Sequence, residues 1–373
     1  MIEDQRRMDD FNEKVNMVLR VIEKHKADGL LLLSQRMISW LTGARGFINI
    51  ASTDSVFRVL ITNSKKIYLI VNNIESLRIV EEELQDIELP VAEFPWYDLK
   101  GAEKIVSEIM GSHSKLLIEQ DVEEELVRLQ YVLSNVEQNL MRVLSAEVAM
   151  LTEQTLMNVK RGQTEFEVAG EVAKSFLTSG IEPIVLLAAA DERAMKRRHP
   201  LPTTNFINHY LLFSACGRRH GLVASVTRTL SLDSFFPELV RRHRSVGYVD
   251  ATAIAASIAG ASLGDIFAQI QMAYATEGFG NEWKLHHQGG ISGYASRMVF
   301  ATPNSTFKLA DGMVATWNPS ISGVKSEDTC LVSSNGIEVL TVRTGSPWPM
   351  YQYSINGVTV TRPGILRRTV FYS

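Results

Sequence analysis

Between His286 and Val332 the sequence reads HHQGGISGYASR and, a little further on, GMVATWNPSISGVKSEDTCLV. His287, Tyr294, Arg297, Asn318, Lys325, Glu327 and Asp328 stand there among short apolar runs broken by Gly, Asn-Pro and Ser-Gly. Polar groups on strands joined by tight turns are how a rigid scaffold presents a reactive set. Imidazole is the usual proton shuttle near neutral pH. His287 is therefore a candidate acid or base, with a satisfied structural histidine as the plain alternative, an alternative that weighs more on His286. His199, in KRRHPLPTT, is held extended by the following proline and is a second candidate. Within the stretch only Asp311, Glu327 and Asp328 offer carboxylates, and a metal site would want more.

Three further charged groups need solvent or a partner. In SACGRRHGLVASVTRT, Gly217 and Gly221 flank Arg218, Arg219 and His220 at an expected turn. That turn is either an exposed charged tip or an anion-recognition loop, since arginine offers paired donors to carboxylate or phosphate. Arg228 lies within the return strand, where an unpaired charge would be costly, so it needs a carboxylate partner or a cleft. Glu327 and Asp328 open a strand with Lys325 as their local partner, while Trp283 and Trp317 read as core.

The elements that must position these residues fall into two halves. At 373 residues, 45% hydrophobic and 21% charged, the chain suits two globular domains. Its net charge of -4 argues against a nucleic-acid partner. Its two cysteines, Cys216 and Cys330, read as buried reduced thiols. The polar N-terminus and the lack of a long apolar run point to a cytoplasmic protein without a membrane segment. Phe11, Val15, Val18, Leu19 and Ile22 form one helical stripe. Strands at Gly29–Leu33, Lys66–Val71 and Lys115–Ile118, with helices over 73–85 and 103–110, predict an α/β domain. A long helix over 140–159 follows, then a capping box, Thr164 with Glu167, opening a helix with Phe166, Ala169, Val172, Ala173 and Phe176 on one face. A helix over 265–276 and the strand pairs Tyr210–Cys216 with Leu222–Leu230 and Gly312–Trp317 with Thr329–Val332 make the second half α+β. The expected domains are 1–139 and 140–373.

At these residues the chain resembles the superfamily of methionine aminopeptidase, prolidase, aminopeptidase P and creatinase, whose catalytic domain is the pita-bread fold. MISWLTGARG (37–46), LLIEQD (116–121), LMRVLSAEVAMLTEQ (140–154) and VKRGQTEFEVA (159–169) resemble its N-terminal and junction motifs. HPLPTT, LVASVTRTLSLD, HHQGG, GMVATWNP and KSEDTCLV then follow in family order. The resemblance implies an α/β N-terminal domain, a pita-bread domain of antiparallel sheet with packed helices, and a homodimer.

Metallopeptidases of the superfamily hold two divalent ions with Asp, Asp, His, Glu and Glu. Carried over, these fall on Ser214, Ser225, His287 (or Ile291), Asn318 and Glu327. Serine and asparagine cannot supply the charge that two divalent ions require, so no metal and no other cofactor is expected. Creatinase, which cleaves a C–N bond on this fold without metal, is the informative relative: its acid/base histidine resembles His199 and its later active-site histidine His287. A further family histidine falls on Tyr294, and creatinase's own carboxylates fall on Thr227 and Asn318. The expectation is a metal-independent, creatinase-like hydrolase of a small amide, amidine or peptide-like substrate. In it His199 is general acid/base, and His287 with Tyr294 binds or protonates the leaving side. Asn318 and Glu327 orient water or a substrate nitrogen, Arg228 and Arg297 neutralise carboxylates, and Ser214 and Ser225 line the site. A metal-dependent Xaa-Pro dipeptidase and a non-catalytic binder of a peptide or metabolite are the alternatives.

Overall fold

The computed structural model describes residues 4–232, 237–334 and 336–368. It divides into two compact units, Met1–Val136 and Glu137–Ser373.

In the first unit α1 (Asp4–Lys24) buries Phe11, Val15, Val18, Val21 and Ile22. A five-stranded mixed sheet runs in the order β4-β3-β2-β1-β5, from β1 (Gly29–Ser34), β2 (Asp54–Thr62), β3 (Ile67–Asn72), β4 (Val91–Phe94) and β5 (Leu116–Ile118). Helices α2 (Gln35–Thr42), α4 (Gly101–Met110) and α5 (Glu123–Leu129) complete the α/β unit. The helix expected over 73–85 is shorter. The Asn72 carboxamide accepts from the N–H groups of Ile74 and Glu75, holding the chain in a turn. Only α3 (Ser76–Arg78) and one π-helical turn (Ile79–Glu83) follow.

The second unit opens within α6 (Asn135–Met157). Thr164 and Glu167 form the expected reciprocal cap on α7 (Glu165–Thr178), with the Thr164 hydroxyl accepting from Glu167 N–H at 3.2 Å. One sheet has the order β18-β8-β7-β6 and the other β10-β9-β11-β14-β15. The first contains β6 (Glu182–Ala190), β7 (Tyr210–Arg219), β8 (Leu222–Ser231) and β18 (Ile365–Arg367). The second contains β9 (Gly289–Ser292), β10 (Val299–Phe300), β11 (Val314–Trp317), β14 (Asp328–Ser333) and β15 (Gly336–Val339). Short pairs β12 (Ser320–Ile321) with β13 (Val324–Lys325), and β16 (Met350–Ile355) with β17 (Val358–Pro363), stand beside them. Helices α8 (Glu192–Lys196), α9 (Pro237–Ala256) and α10 (Leu263–Thr276) complete the unit, α9 and α10 packing against each other. This is the expected pita-bread architecture. The two sheets meet where Val223 N–H donates to Gly293 O (2.8 Å) and Thr227 N–H to Glu327 O (3.0 Å).

The β7–β8 turn is tighter than expected. Only His220 and Gly221 form it, both with positive φ (51° and 79°), the geometry of a two-residue hairpin loop. Arg218 and Arg219 belong to the strand and pair with Glu182 and Glu147. The anion-recognition loop is therefore corrected to an ion-paired strand end. Cys216 and Cys330 are free and buried. Among the described residues no helix is long and apolar enough to cross a membrane.

Candidate active site

Strand register sets the floor of the site. Ser214 pairs with Thr227 and Cys216 with Ser225 across β7 and β8, so alternation puts these four side chains on one face. All four are buried, and β14 runs beside β8: Ser225 N–H donates to the Thr329 hydroxyl at 2.8 Å. The Ser225 hydroxyl lies 3.1 Å from the Cys216 sulfur.

A hydroxyl chain runs from this floor to Glu327. Ser214 Oγ is 2.6 Å from Thr227 Oγ1, which donates to Glu327 Oε2 at 2.7 Å. Because the threonine proton is used on Glu327, Ser214 must be the donor in the first bond. Two cations close on the same carboxylate: Lys325 Nζ lies 2.8 Å from Oε2 and Arg297 donates to Oε1 at 3.1 Å. Burial raises the Glu327 pKa, but the attraction of Lys325 and Arg297 wins and holds it at about 2. Glu327 is ionised and internally neutralised.

Three histidines gather beside this triad. His199 Nε2 and His286 Nε2 are 3.0 Å apart. The rings of His286 and His287 stack at 4.5 Å, and His287 meets the edge of Phe300 at 5.0 Å. One nitrogen from each ring lies within 4.8 Å of the others. Lys325 and Glu327 are near enough to act electrostatically on all three. Burial, with help from Lys325, lowers the pKa of His199. Burial and the same lysine bring His286 to about 2, and burial with Arg297 brings His287 to about 4. The cluster is neutral at pH 7.

Local structure explains the placement. His199 sits in a segment fastened to β6, since Ala188 N–H donates to Pro200 O at 2.9 Å. Thr203 is held through its N–H and hydroxyl by the buried Glu165 carboxylate. Arg198 ties this segment to Ser320 and Glu282. On the other side Gln288 is fully buried; its amide nitrogen bonds His286 O, and its amide oxygen accepts from the Tyr274 hydroxyl at 2.9 Å. Gly289 and Gly290 (φ 115° and 148°) then let β9 run between β10 and β11. A Cβ at Gly290 would stand 2.0 Å from Val299 O.

The structure thus gathers His199, His287, Glu327, Arg297, Ser214 and Ser225. Asn318 is 2% exposed and its backbone N–H bonds Gln288 O at 3.0 Å. Its side-chain Oδ1 has no hydrogen-bond partner among the described residues. Two expectations need correction. Arg228 is 1% exposed and spends its donors on Glu153, Asp328, Thr227 O and Thr341 O. It is a core cation with carboxylate partners, facing no cleft. Tyr294 is buried and gives its hydroxyl to Glu137, which takes that proton from the leaving-side role. Sequence reasoning treated His286 as structural; its signal was the doublet itself, which puts two imidazoles side by side just before a strand.

Residues 139–334 match the Metallopeptidase family M24, and residues 14–146 the Creatinase/Prolidase N-terminal domain. The chain belongs to family M24. An uncharacterized peptidase of Staphylococcus aureus is 28% identical over 193 residues, 49% of this chain and 54% of that protein; the chain thus spans about half the length of the curated relatives it matches. Among solved structures, a prolidase from Pyrococcus horikoshii superposes with a TM-score of 0.76 at 18% identity, covering 89% of this chain and 99% of that one. A Xaa-Pro dipeptidase from Bacillus anthracis gives 0.74 at 18% identity, over 90% and 98%. These likenesses show the fold.

The two-ion centre that this family implies does not fit the residues present. By the resemblance its five positions fall on Ser214, Ser225, His287 or Ile291, Asn318 and Glu327, and the two serines and the asparagine carry no charge. The remaining carboxylate, Glu327, is neutralised by an ammonium and a guanidinium. Two added divalent ions would meet these fixed positive charges with a single negative one, a repulsive arrangement at any effective dielectric.

Proposed function

We propose that the chain is a hydrolase of a C–N bond in a small amide, amidine or peptide-like substrate, working without the family's two-ion centre. The observation that carries this reading is the Lys325–Glu327–Arg297 triad, which fills the centre with the protein's own cations beside neutral imidazoles. His199, the exposed member of the cluster, serves as general base: it takes a proton from water as the oxygen adds to the substrate carbon. The same proton then passes to the leaving nitrogen as the C–N bond breaks. His287 binds the leaving side, and the free Asn318 Oδ1 accepts from a substrate N–H. Arg297 and Lys325 place positive charge where negative charge gathers on the adduct. General acid/base catalysis supplies about 10²–10⁴-fold, so orientation within the cleft has to supply the rest.

The test is hydrolysis of a panel of Xaa-Pro dipeptides, amides and amidines, with and without added manganese. Turnover that persists with chelator and falls at least about 100-fold in His199→Ala is expected. Turnover that requires manganese, or that survives His199→Ala intact, sinks the mechanism. A second reading, recognition of a peptide or metabolite without turnover, is favoured by one observation: Glu327, already ion-paired twice, is no longer a free base. A ligand that binds and is recovered unchanged across the whole panel would establish it.

A further inference from the structure

We infer that His199, His286 and His287 form a site for one divalent transition-metal ion, with zinc as the best match, built from imidazoles and not from the family's carboxylates. The donor set suits that class of ion. Three imidazoles favour zinc and its neighbours over magnesium, calcium or manganese, which prefer oxygen. The spacing suits it too. Two imidazole nitrogens bound to one tetrahedral zinc at about 2.0–2.1 Å stand roughly 3.3 Å apart, and the His199 and His286 Nε2 atoms are already at 3.0 Å. One nitrogen of each ring lies within 4.8 Å of the others, so rotation of the half-buried His287 and the exposed His199 completes the closure.

A second observation concerns His287, whose Nδ1 is buried without a hydrogen-bond partner among the described residues. Such an atom carries a desolvation cost that an ion bound to it would relieve, while His286 offers the Nε2 that already faces His199. Lys325 and Arg297 oppose a bare cation, and Glu327 offsets one of their two charges. The remaining positive charge selects an ion whose fourth position carries an anion, such as hydroxide or a carboxylate. A three-protein-ligand site with one open position has that character.

An ion on His199 Nε2 occupies the lone pair that the hydrolase reading uses as its base, so that reading describes the metal-free chain, and occupancy is read directly and apart from turnover. Full-length protein, stripped with chelator and dialysed, is titrated with cobalt(II) under nitrogen and, separately, with zinc by calorimetry. We expect one equivalent per chain, visible d–d bands of low-coordinate cobalt, and loss of those bands on adding zinc. His286→Ala should weaken zinc binding by more than about 100-fold, beyond the cost of losing an outer partner. The exposed His199→Ala is the companion variant should His286→Ala fail to fold. Glu327→Gln should still bind. No stoichiometric binding, or binding indifferent to both histidine variants, overturns the inference. So does binding lost in folded Glu327→Gln but kept in His199→Ala, which would put the ion on the carboxylate side. Metal binding by a protein inactive on every substrate, or turnover by one that binds no metal, separates this inference from the hydrolase proposal.

Discussion

At the scale of single residues, Glu327 decides what the site can do. With Lys325 and Arg297 on its two oxygens and Thr227 donating to one of them, it acts as a buried counter-ion. Removing its charge strands two buried cations, and breaking a buried pair from one side costs about 3–5 kcal/mol. Glu327→Gln should therefore lose stability of that order in urea unfolding. Lys325→Met in the same chain should return part of it. Additive losses in the double variant would show that the pairing is not what holds these residues. The sequence made His199, His287 and Glu327 legible as a group because their neighbours (Pro200, the following glycines, the strand after Glu327) limit where they can point. It could not reveal that Arg228 and Tyr294 turn away. A strand residue's face depends on which partner strand covers it, and Arg228 meets Glu153 from α6 and Asp328 from β14, both far off in sequence.

At the scale of elements, β9 is the critical piece, because it seats His286 and His287 and is squeezed between two neighbours. Gly290→Ala would set a Cβ 2.0 Å from the Val299 carbonyl at φ 148°, with backbone and not a pliable side chain in the way. A loss above about 3 kcal/mol is expected, in the class of backbone strain. Gly170, exposed in α7 with nothing within 4 Å of its virtual Cβ, is the control. Gly170→Ala should gain roughly 0.5–1 kcal/mol. Equal effects from the two substitutions, measured by thermal melting, would contradict this account of β9. The capping box of α7 and the β7–β8 hairpin were readable because their signals are local. The truncated helix after Asn72 was not, since a single side-chain amide outcompeted the helical register.

At the scale of the molecule, a buried ionic lattice ties α6, α9, β8, β14 and β17 together. Arg228 bonds Glu153 and Asp328, and Arg362 bonds Asp328 and Asp250. The sequence implied a carboxylate partner for Arg228 without naming it, because the order of strands in a sheet is not written in any one segment. The lattice makes stability depend on pH in two opposing ways. Burial, with Arg362 adding to it, lowers the pKa of His243 from 6.5 to about 4. Between those values the unfolded chain takes a proton that the folded chain refuses, so stability falls as pH drops. Burial raises the pKa of Asp250 from 3.8 to about 6, against the pull of Arg362. Between those values the folded chain holds the extra proton, so stability rises as pH drops. His243→Phe removes the first effect alone. From pH 7 to pH 4.5 the variant should gain about 2 kcal/mol relative to the parent, read as a widening gap in urea midpoints. Parallel pH profiles for the two proteins would show that His243 carries no such burden.

The triad around Glu327 also bears on engineering. Installing Asp at 214 and 225 and Glu at 318 looks like a short path to a working metallopeptidase. Each new carboxylate, however, would find Lys325 or Arg297 waiting and form a zwitterion before any ion arrived. Replacing those cations first would leave Glu327 buried and unmatched. Every single-step route thus crosses a chain with a stranded charge in its interior. The cations paired with Glu327 act as a ratchet, and only a concerted exchange of both the acids and the bases would turn it back.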